Sequence, residues 1–305
     1  MAFAAFSNDK PAKDNSAQRK SGPVVLALLM PGLIYLLLFF MTPLVTLVIT
    51  SLQSPDPSGA IGAYFNDVNF ANYATVAVDY FPQILRSFLY AFAATVFALV
   101  ISYPVAYFIG VKLRSRPLTQ RLMLTLVIAP FFISFLLRTI AWKQLLSDDS
   151  GFVALLHNTG ILAPTQFFLG TDAAVIFGLT YNFIPFMTLP LFTNLERLDV
   201  RLLEAGSDLY ANPRHIFTRV TLPLSMPGII SGTLLTFIPI AGDYVNASRD
   251  FLGSSKTSMI GTMVEADYLQ NLNYPSASAM SVLLMGVILA LVTLYVRRSG
   301  TEDLL

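Results

Sequence analysis

Six stretches of the chain are apolar for long enough to cross a bilayer as a helix, which takes about 20 residues. They are Val24 to Ser51, Ile84 to Gly110, Leu122 to Trp142, Ala173 to Leu195, Leu224 to Tyr244 and Ser278 to Val296. The first is longer than a signal-peptide core and lacks a small-residue cleavage site, so it reads as a retained span. The pattern predicts an all-α polytopic membrane protein with six transmembrane helices, its transmembrane domain covering residues 21–300. Residues 1–20 are polar, basic and without periodicity and read as a disordered arm, with 301–305 as a short tail. The connections 52–83, 143–172 and 245–277 are rich in Gly, Pro, Asn and Asp and are expected to hold short interfacial helices.

Prolines and glycines interrupt most spans: Pro31, Gly32 and Pro43, then Pro104, Pro130, Pro185 with Pro190, and finally Pro227, Gly228, Gly232 and Pro239. Each such residue releases backbone carbonyls that lipid cannot satisfy but a neighbouring helix or a wet cavity can. The spans are therefore expected to bend around an interior.

Composition supports the membrane reading, because 55% apolar and 12% charged residues leave too little polar surface for a soluble globule of 305 residues. The absence of cysteine excludes disulfides, thiolate metal sites and a cysteine nucleophile, and His157 and His215 have no metal-ligand spacing. The net charge of +1 conceals a segregation. Lys10, Lys13, Arg19, Lys20, Lys112, Arg114, Arg116, Arg121, Arg197, Arg201, Arg214, Arg219, Arg297 and Arg298 fall on one side of the spans. Arg86, Arg138, Lys143, Arg249 and Lys256 fall on the other. Basic residues near span ends stay on the cytoplasmic side, which places both termini in the cytoplasm. The opposite side carries an excess of acid that would concentrate cationic solutes.

The connection between spans four and five, residues 196–223, has a definite shape. Leu198 to Ala211 contains good helix formers, with Leu198, Leu202, Leu203 and Leu209 expected on one broad face around small Ala205 and Gly206. Asn212-Pro213 stops this helix and starts a second, Asn212 as N-cap and Pro213 at its first position. Leu222-Pro223 is expected to end the second helix at about Val220 and turn the chain back into the membrane. The product is a helix-turn-helix joined at both ends to membrane spans, suited to a lever.

Glu204-Ala205-Gly206, Phe217, Leu222-Pro223 and Pro227-Gly228-Ile229 resemble the EAA loop of ABC importer permease subunits. Gly206 stands where that motif has its second alanine, and Tyr210 where the family usually has glycine. The likeness runs over nearly the whole chain and is greatest to the first permease subunit of spermidine/putrescine importers. It is carried by Tyr103-Pro104-Val105-Ala106-Tyr107, Ala129-Pro130-Phe131-Phe132, Arg138-Thr139, Ala141-Trp142, Tyr181-Asn182-Phe183-Ile184-Pro185-Phe186 and Gly242-Asp243-Tyr244.

The resemblance implies a type I ABC importer permease fold in a bacterial inner membrane. It implies as partners a second, paralogous permease subunit, two ATP-binding subunits and an extracytoplasmic solute-binding protein. It also implies ATPase coupling through Glu204, Ala205, Gly206, Asp208, Asn212, Pro213, His215, Phe217, Leu222 and Pro223. The chain has no GxxxxGK[ST] phosphate loop, so no cofactor is expected on it, and ATP with Mg would bind the partner ATPase. No nucleophile and base, acid pair or metal cluster stands at catalytic spacing, so the chain is not expected to be an enzyme.

A polycation crossing a low-dielectric layer needs carboxylates or aromatic faces. Asp243, Tyr181, Phe186, Tyr107 and Trp142 are the candidates for the substrate path. Other small solutes, of amino acid, iron or phosphonate type, remain open as cargo. A secondary transporter or channel is the rival class, and it would call for inverted repeats and buried ion-coupling residues.

Overall fold

The computed structural model describes residues 22–58, 60–160, 163 and 167–299. The arm and tail expected at 1–20 and 301–305 lie outside the described residues. Two compact units divide at Leu47/Val48. In the first, the described part of helix α1 (residues 22–51) widens to a π-helix at Leu37–Met41, and its side chains from Val25 to Val45 are almost all exposed. A continuous apolar surface of this kind is what a lipid-facing helix presents.

The second unit is also helical. A two-stranded antiparallel ladder, β1 (Ser54–Pro55) with β2 (Tyr64–Phe65), leads into α2 (Ala71–Asp79) and the long α3 (Phe81–Lys112). There follow α4 (Pro117–Phe132), α5 (Phe135–Leu145), α6 (Gly151–Asn158), α7 (Asp172–Arg197), α8 (Val200–Asp208), α9 (Pro213–Leu224), α10 (Met226–Ala241), α11 (residues 260–270) and α12 (Tyr274–Ser299).

Among the described residues, four helices are long and apolar enough to cross a membrane: residues 25–51, α3, α7 and α12. Two bent pairs bring the total to as many as six if each pair is one span: α4 with α5 at 91°, and α9 with α10 at 62°. These breaks correct two of the expected spans. Leu122 to Trp142 is not one helix, because the chain leaves a 3-10 turn at Ala129–Phe132, becomes extended at Ile133 and restarts from Ser134. Leu224 belongs to the helix before span five, and the turn falls at Ser225.

The core is built on α3, α7 and α10. Ala91, Ala94, Ala98, Ser102 and Ala106 are buried at helical spacing along α3 and let its backbone approach α7. Across that seam stand Val175, Leu179, Phe183, Met187, Leu191 and Leu195. In α10, Gly228 and Gly232 face α7. A methyl group on Gly228 would lie 3.1 Å from the carbonyl oxygen of Pro190, and one on Gly232 the same distance from that of Met187. Helices without a water-driven hydrophobic force between them gain their contact from such close packing. α7 continues unbroken through Pro185 and Pro190.

Candidate functional site

The 196–223 segment folds into two short helices. Asp199 caps α8, its Oδ1 accepting from Arg201 N at 3.0 Å, and Asn212 caps α9, its Oδ1 accepting from Arg214 N at 3.1 Å with Pro213 at the first position. Between them is a Schellman turn, in which Ala211 N–H donates to Gly206 O at 3.1 Å and Tyr210 N–H to Ser207 O at 2.9 Å. That turn requires a left-handed residue, and Tyr210 supplies it with φ 57° while its ring is 98% exposed. The position where the resembled motif has glycine is thus the one where the backbone asks for it.

The leucines do not share one face. Leu198 is buried, Leu203 is half-buried, and Leu202 and Leu209 are exposed together with Ala205 and Tyr210. The reason is Gly206: α9 packs across it, with Ile216 Cγ1 only 3.2 Å from where a methyl group would stand, and this contact divides α8 into two sides. Glu204, Asp208 and Pro213 line a cleft of about 490 Å³ with Tyr107, Lys112 and Phe217. His215 is exposed on α9. Two acids and a lysine thus share the lining of one cleft.

The second helix does not end before Leu222-Pro223 as expected. A π-helical turn at Phe217–Thr221 carries it through to Leu224. The wider turn accommodates Pro223, which has no N–H to return to the preceding turn. Phe217 meets the Tyr103 ring edge-on at 5.6 Å, and the Tyr103 hydroxyl shares a 2.8 Å hydrogen bond with Ser225 Oγ at the bend. Leu222 packs on the core around Met187 and Leu191. At the other end, Arg114 donates to Leu198 O at 2.9 Å and Gln120 Nε2 to Glu196 Oε1 at 3.3 Å. Gly110 leaves room for Glu196, whose N would be 3.3 Å from a methyl group there. The segment is therefore braced to α3, α4 and α10 at once.

The residues picked for a path separate into three places. Tyr107 lies in the cleft beneath α8, beside the coupling candidates. Phe186 touches Phe131 edge-on at 5.3 Å and lines an α7–α10 groove of about 560 Å³ with Pro190, Asn194 and Ser231. Trp142 and Tyr181 meet at 5.1 Å where α5 crosses α7. Asp243 is near that crossing through a chain of hydrogen bonds rather than by direct contact. It is 6% exposed and accepts from Asn246 N at 2.8 Å and Asn246 Nδ2 at 3.1 Å. Asn182 Nδ2 in turn donates to Asn246 Oδ1 at 3.1 Å and Thr139 Oγ1 at 3.2 Å. The carboxylate is held in a buried polar network, not open at a helix end.

Sequence reasoning did not single out Tyr103, Ser225, Asn182, Thr139 or Asn246. Tyr103, Thr139 and Asn182 lie inside the segments that carry the resemblance, and the signal that could have found the last two is polarity inside an apolar run: a buried amide needs partners, so it marks a packed face. Ser225 and Asn246 carried no such mark.

Residues 102–299 match the family described as binding-protein-dependent transport system inner membrane component. The chain is 34% identical, over 86% of its length and 90% of the relative's, to the spermidine/putrescine transport system permease protein PotB of Haemophilus influenzae. It is 33% identical to the PotB of Escherichia coli K12, over 87% and 94%. It is 30% identical to the inner membrane ABC transporter permease protein YdcU of the same organism, over 80% and 76%. Among solved structures, a chain of a bacterial ABC transporter involved in import of the acidic polysaccharide alginate superposes with a TM-score of 0.68 at 19% identity, covering 92% of this chain and 96% of that one. That likeness establishes a shared fold. With a family match over residues 102–299 and relatives above 30% identity along most of both chains, this protein belongs to the binding-protein-dependent transport system inner membrane component family.

Proposed function

We propose that the chain is a permease subunit of an ATP-driven polyamine importer, forming half of the path for spermidine or putrescine. The observation that carries the mechanism is the brace of the 196–223 segment: a helix pair with an exposed apolar face at Leu202, Leu209 and Tyr210, tied through Phe217, Tyr103 and Ser225 to the spans. A soluble ATPase seated on that face would move α3 and α10 directly. The cargo reading is supported by identity above 30% to spermidine/putrescine permeases over most of both chains.

In this reading α4 with α5 makes one span and α10 makes another, giving six, with both termini cytoplasmic by the distribution of Lys and Arg. A second permease completes the path, two ATP-binding subunits supply ATP and Mg, and a binding protein delivers the solute from outside. Glu204, Ala205, Gly206, Asp208, Asn212, Pro213, His215, Phe217, Leu222 and Pro223 form or support the coupling surface. Asp243, Tyr181, Trp142 and Phe186 are the path candidates, and Tyr107 joins the coupling cleft.

The test is uptake by the complex isolated with its co-purifying subunits and reconstituted with its binding protein. ATP-dependent accumulation of labelled spermidine or putrescine is expected, against amino acids, iron complexes and phosphonates as comparison solutes. Accumulation of one of those with no polyamine uptake would overturn the cargo assignment. Uptake by the lone chain without ATP would overturn the coupling.

A further inference from the structure

α5 starts immediately after the 91° break, and residues 135, 138, 139 and 142 recur at the spacing of one helix face. That face meets α7. Phe135 lies 6.1 Å from Phe183, Trp142 lies 4.7 Å from Phe177 and 5.1 Å from Tyr181, and Thr139 takes the hydrogen bond from Asn182.

Arg138 is inside this contact, 6% exposed, its guanidinium carbon 5.8 Å from the centre of the Phe135 ring. Its Nε and Nη1 are both buried without a hydrogen-bond partner. Arginine does not release its proton, so a full positive charge stands there. An arginine kept for packing would have its donors filled, since idle donors on a buried charge are costly. A membrane protein retains such a group where the charge itself is used.

Among the described residues none is paired with Arg138 as a counter-ion. Asp243, the acid linked to this crossing, is engaged by Asn246. A carboxylate from another subunit cannot approach the idle nitrogens without displacing this chain, because its own atoms cover them. Nε and Nη1 therefore stay without a partner while α5 and α7 are in this arrangement, and the guanidinium stands over the Phe135 ring, an aromatic face on which an entering ammonium would otherwise stack.

Resting on the polyamine-importer reading, we infer that Arg138 is an electrostatic barrier that keeps the resting path closed to cations. A cation importer needs such a device, because a path favourable to a polyamine is favourable to small cations as well. A fixed positive charge in low-dielectric surroundings excludes both, and motion of α5 against α7 during the ATP-driven cycle removes it for the cargo alone.

The experiment compares wild type, Arg138→Gln and Arg138→Lys in the full complex reconstituted in liposomes. It measures Tl⁺ influx without ATP from a trapped fluorescent dye, and ATP-driven spermidine uptake in the same preparation. Arg138→Gln is expected to raise Tl⁺ influx by about tenfold, while Arg138→Lys, which keeps the charge, stays near wild type. Asn182→Asp, which leaves Arg138 in place and sets a carboxylate beside the crossing, is expected to leak as well. A tight Arg138→Gln complex, or equal leak from the Gln and Lys variants, would overturn the barrier. So would failure of both variants to assemble, which would make Arg138 a packing residue. Absence of spermidine uptake in wild type would strike the cargo reading while leaving the Tl⁺ comparison to judge Arg138 by itself.

Discussion

Tyr210→Gly should tighten the turn between α8 and α9. Tyr210 occupies the left-handed position of a Schellman turn at φ 57°, and its side chain is 98% exposed, so the ring gives up no packing when removed. A non-glycine residue in that conformation costs about 1–2 kcal/mol. Glycine carries more freedom in the open chain, which takes back about 0.5–1 kcal/mol. The balance is a local gain of about 0.5–1 kcal/mol, or about two- to fivefold in the opening equilibrium of the segment. Amide hydrogen exchange over residues 199–212 in nanodiscs reads this quantity directly. Glycine should slow exchange by that factor, and Tyr210→Ala, which deletes the ring but keeps the strained backbone, should leave it unchanged. Unchanged or faster exchange in the glycine variant would refute the assignment of strain. Coupled ATPase activity provides a second axis: if the exposed ring seats on the ATPase, both variants lose coupling although only one stabilises the turn.

Asn212→Ala removes the N-cap of α9 and should cost about 1 kcal/mol locally, seen as faster exchange over residues 213–217. Gly232→Val drives a side chain into the Met187 backbone and sulfur, and overpacking of about 1–3 kcal/mol should lower the unfolding temperature in detergent, with Gly232→Ala less severe. Phe217→Ala forfeits an edge-on ring pair worth about 0.5–1.5 kcal/mol against Tyr103 and should reduce uptake per ATP hydrolysed more than assembly, as read by a transport-to-hydrolysis ratio. Asp243→Asn should depress ATP-driven polyamine uptake at equal protein in the membrane; unchanged uptake would take Asp243 out of the path.

The helical class, the positions of most long helices and the caps at Asn212 and Pro213 were legible because apolar length and capping chemistry are local. The breaks were not. Leu122 to Trp142 is predominantly apolar, and although Pro130 announced a bend, the chain turns a few residues later, at Ile133 and Ser134. Pro223 predicts a stop because a proline usually ends a helix, and the π turn that absorbs it is invisible in the sequence. Which face of a span is buried was equally hard to read, because lipid and core both favour apolar residues and periodicity then carries little contrast. That is why Tyr107 and Phe186 fell in different places and Asp243 proved to be enclosed. Thr139, Asn182 and Asn246 meet only through the crossing of α5, α7 and the turn after α10, a tertiary fact.

The bend at Ser225 has a mechanical reading. Its hydroxyl donates to Leu222 O at 2.9 Å and also bonds Tyr103, so the corner is pinned to α3 while both arms project from it. At about 1.5 Å per residue, the α9 arm reaches about 20 Å from the corner to Asn212 and the α10 arm about 24 Å to Ala241. Pivoting as a bell-crank, the pair would turn a push of about 1 Å at Asn212 into about 1.2 Å at the far end of α10, beside Asp243. A small gain in travel, with its direction turned by the corner, is enough to change which polar groups meet across the α5–α7 crossing.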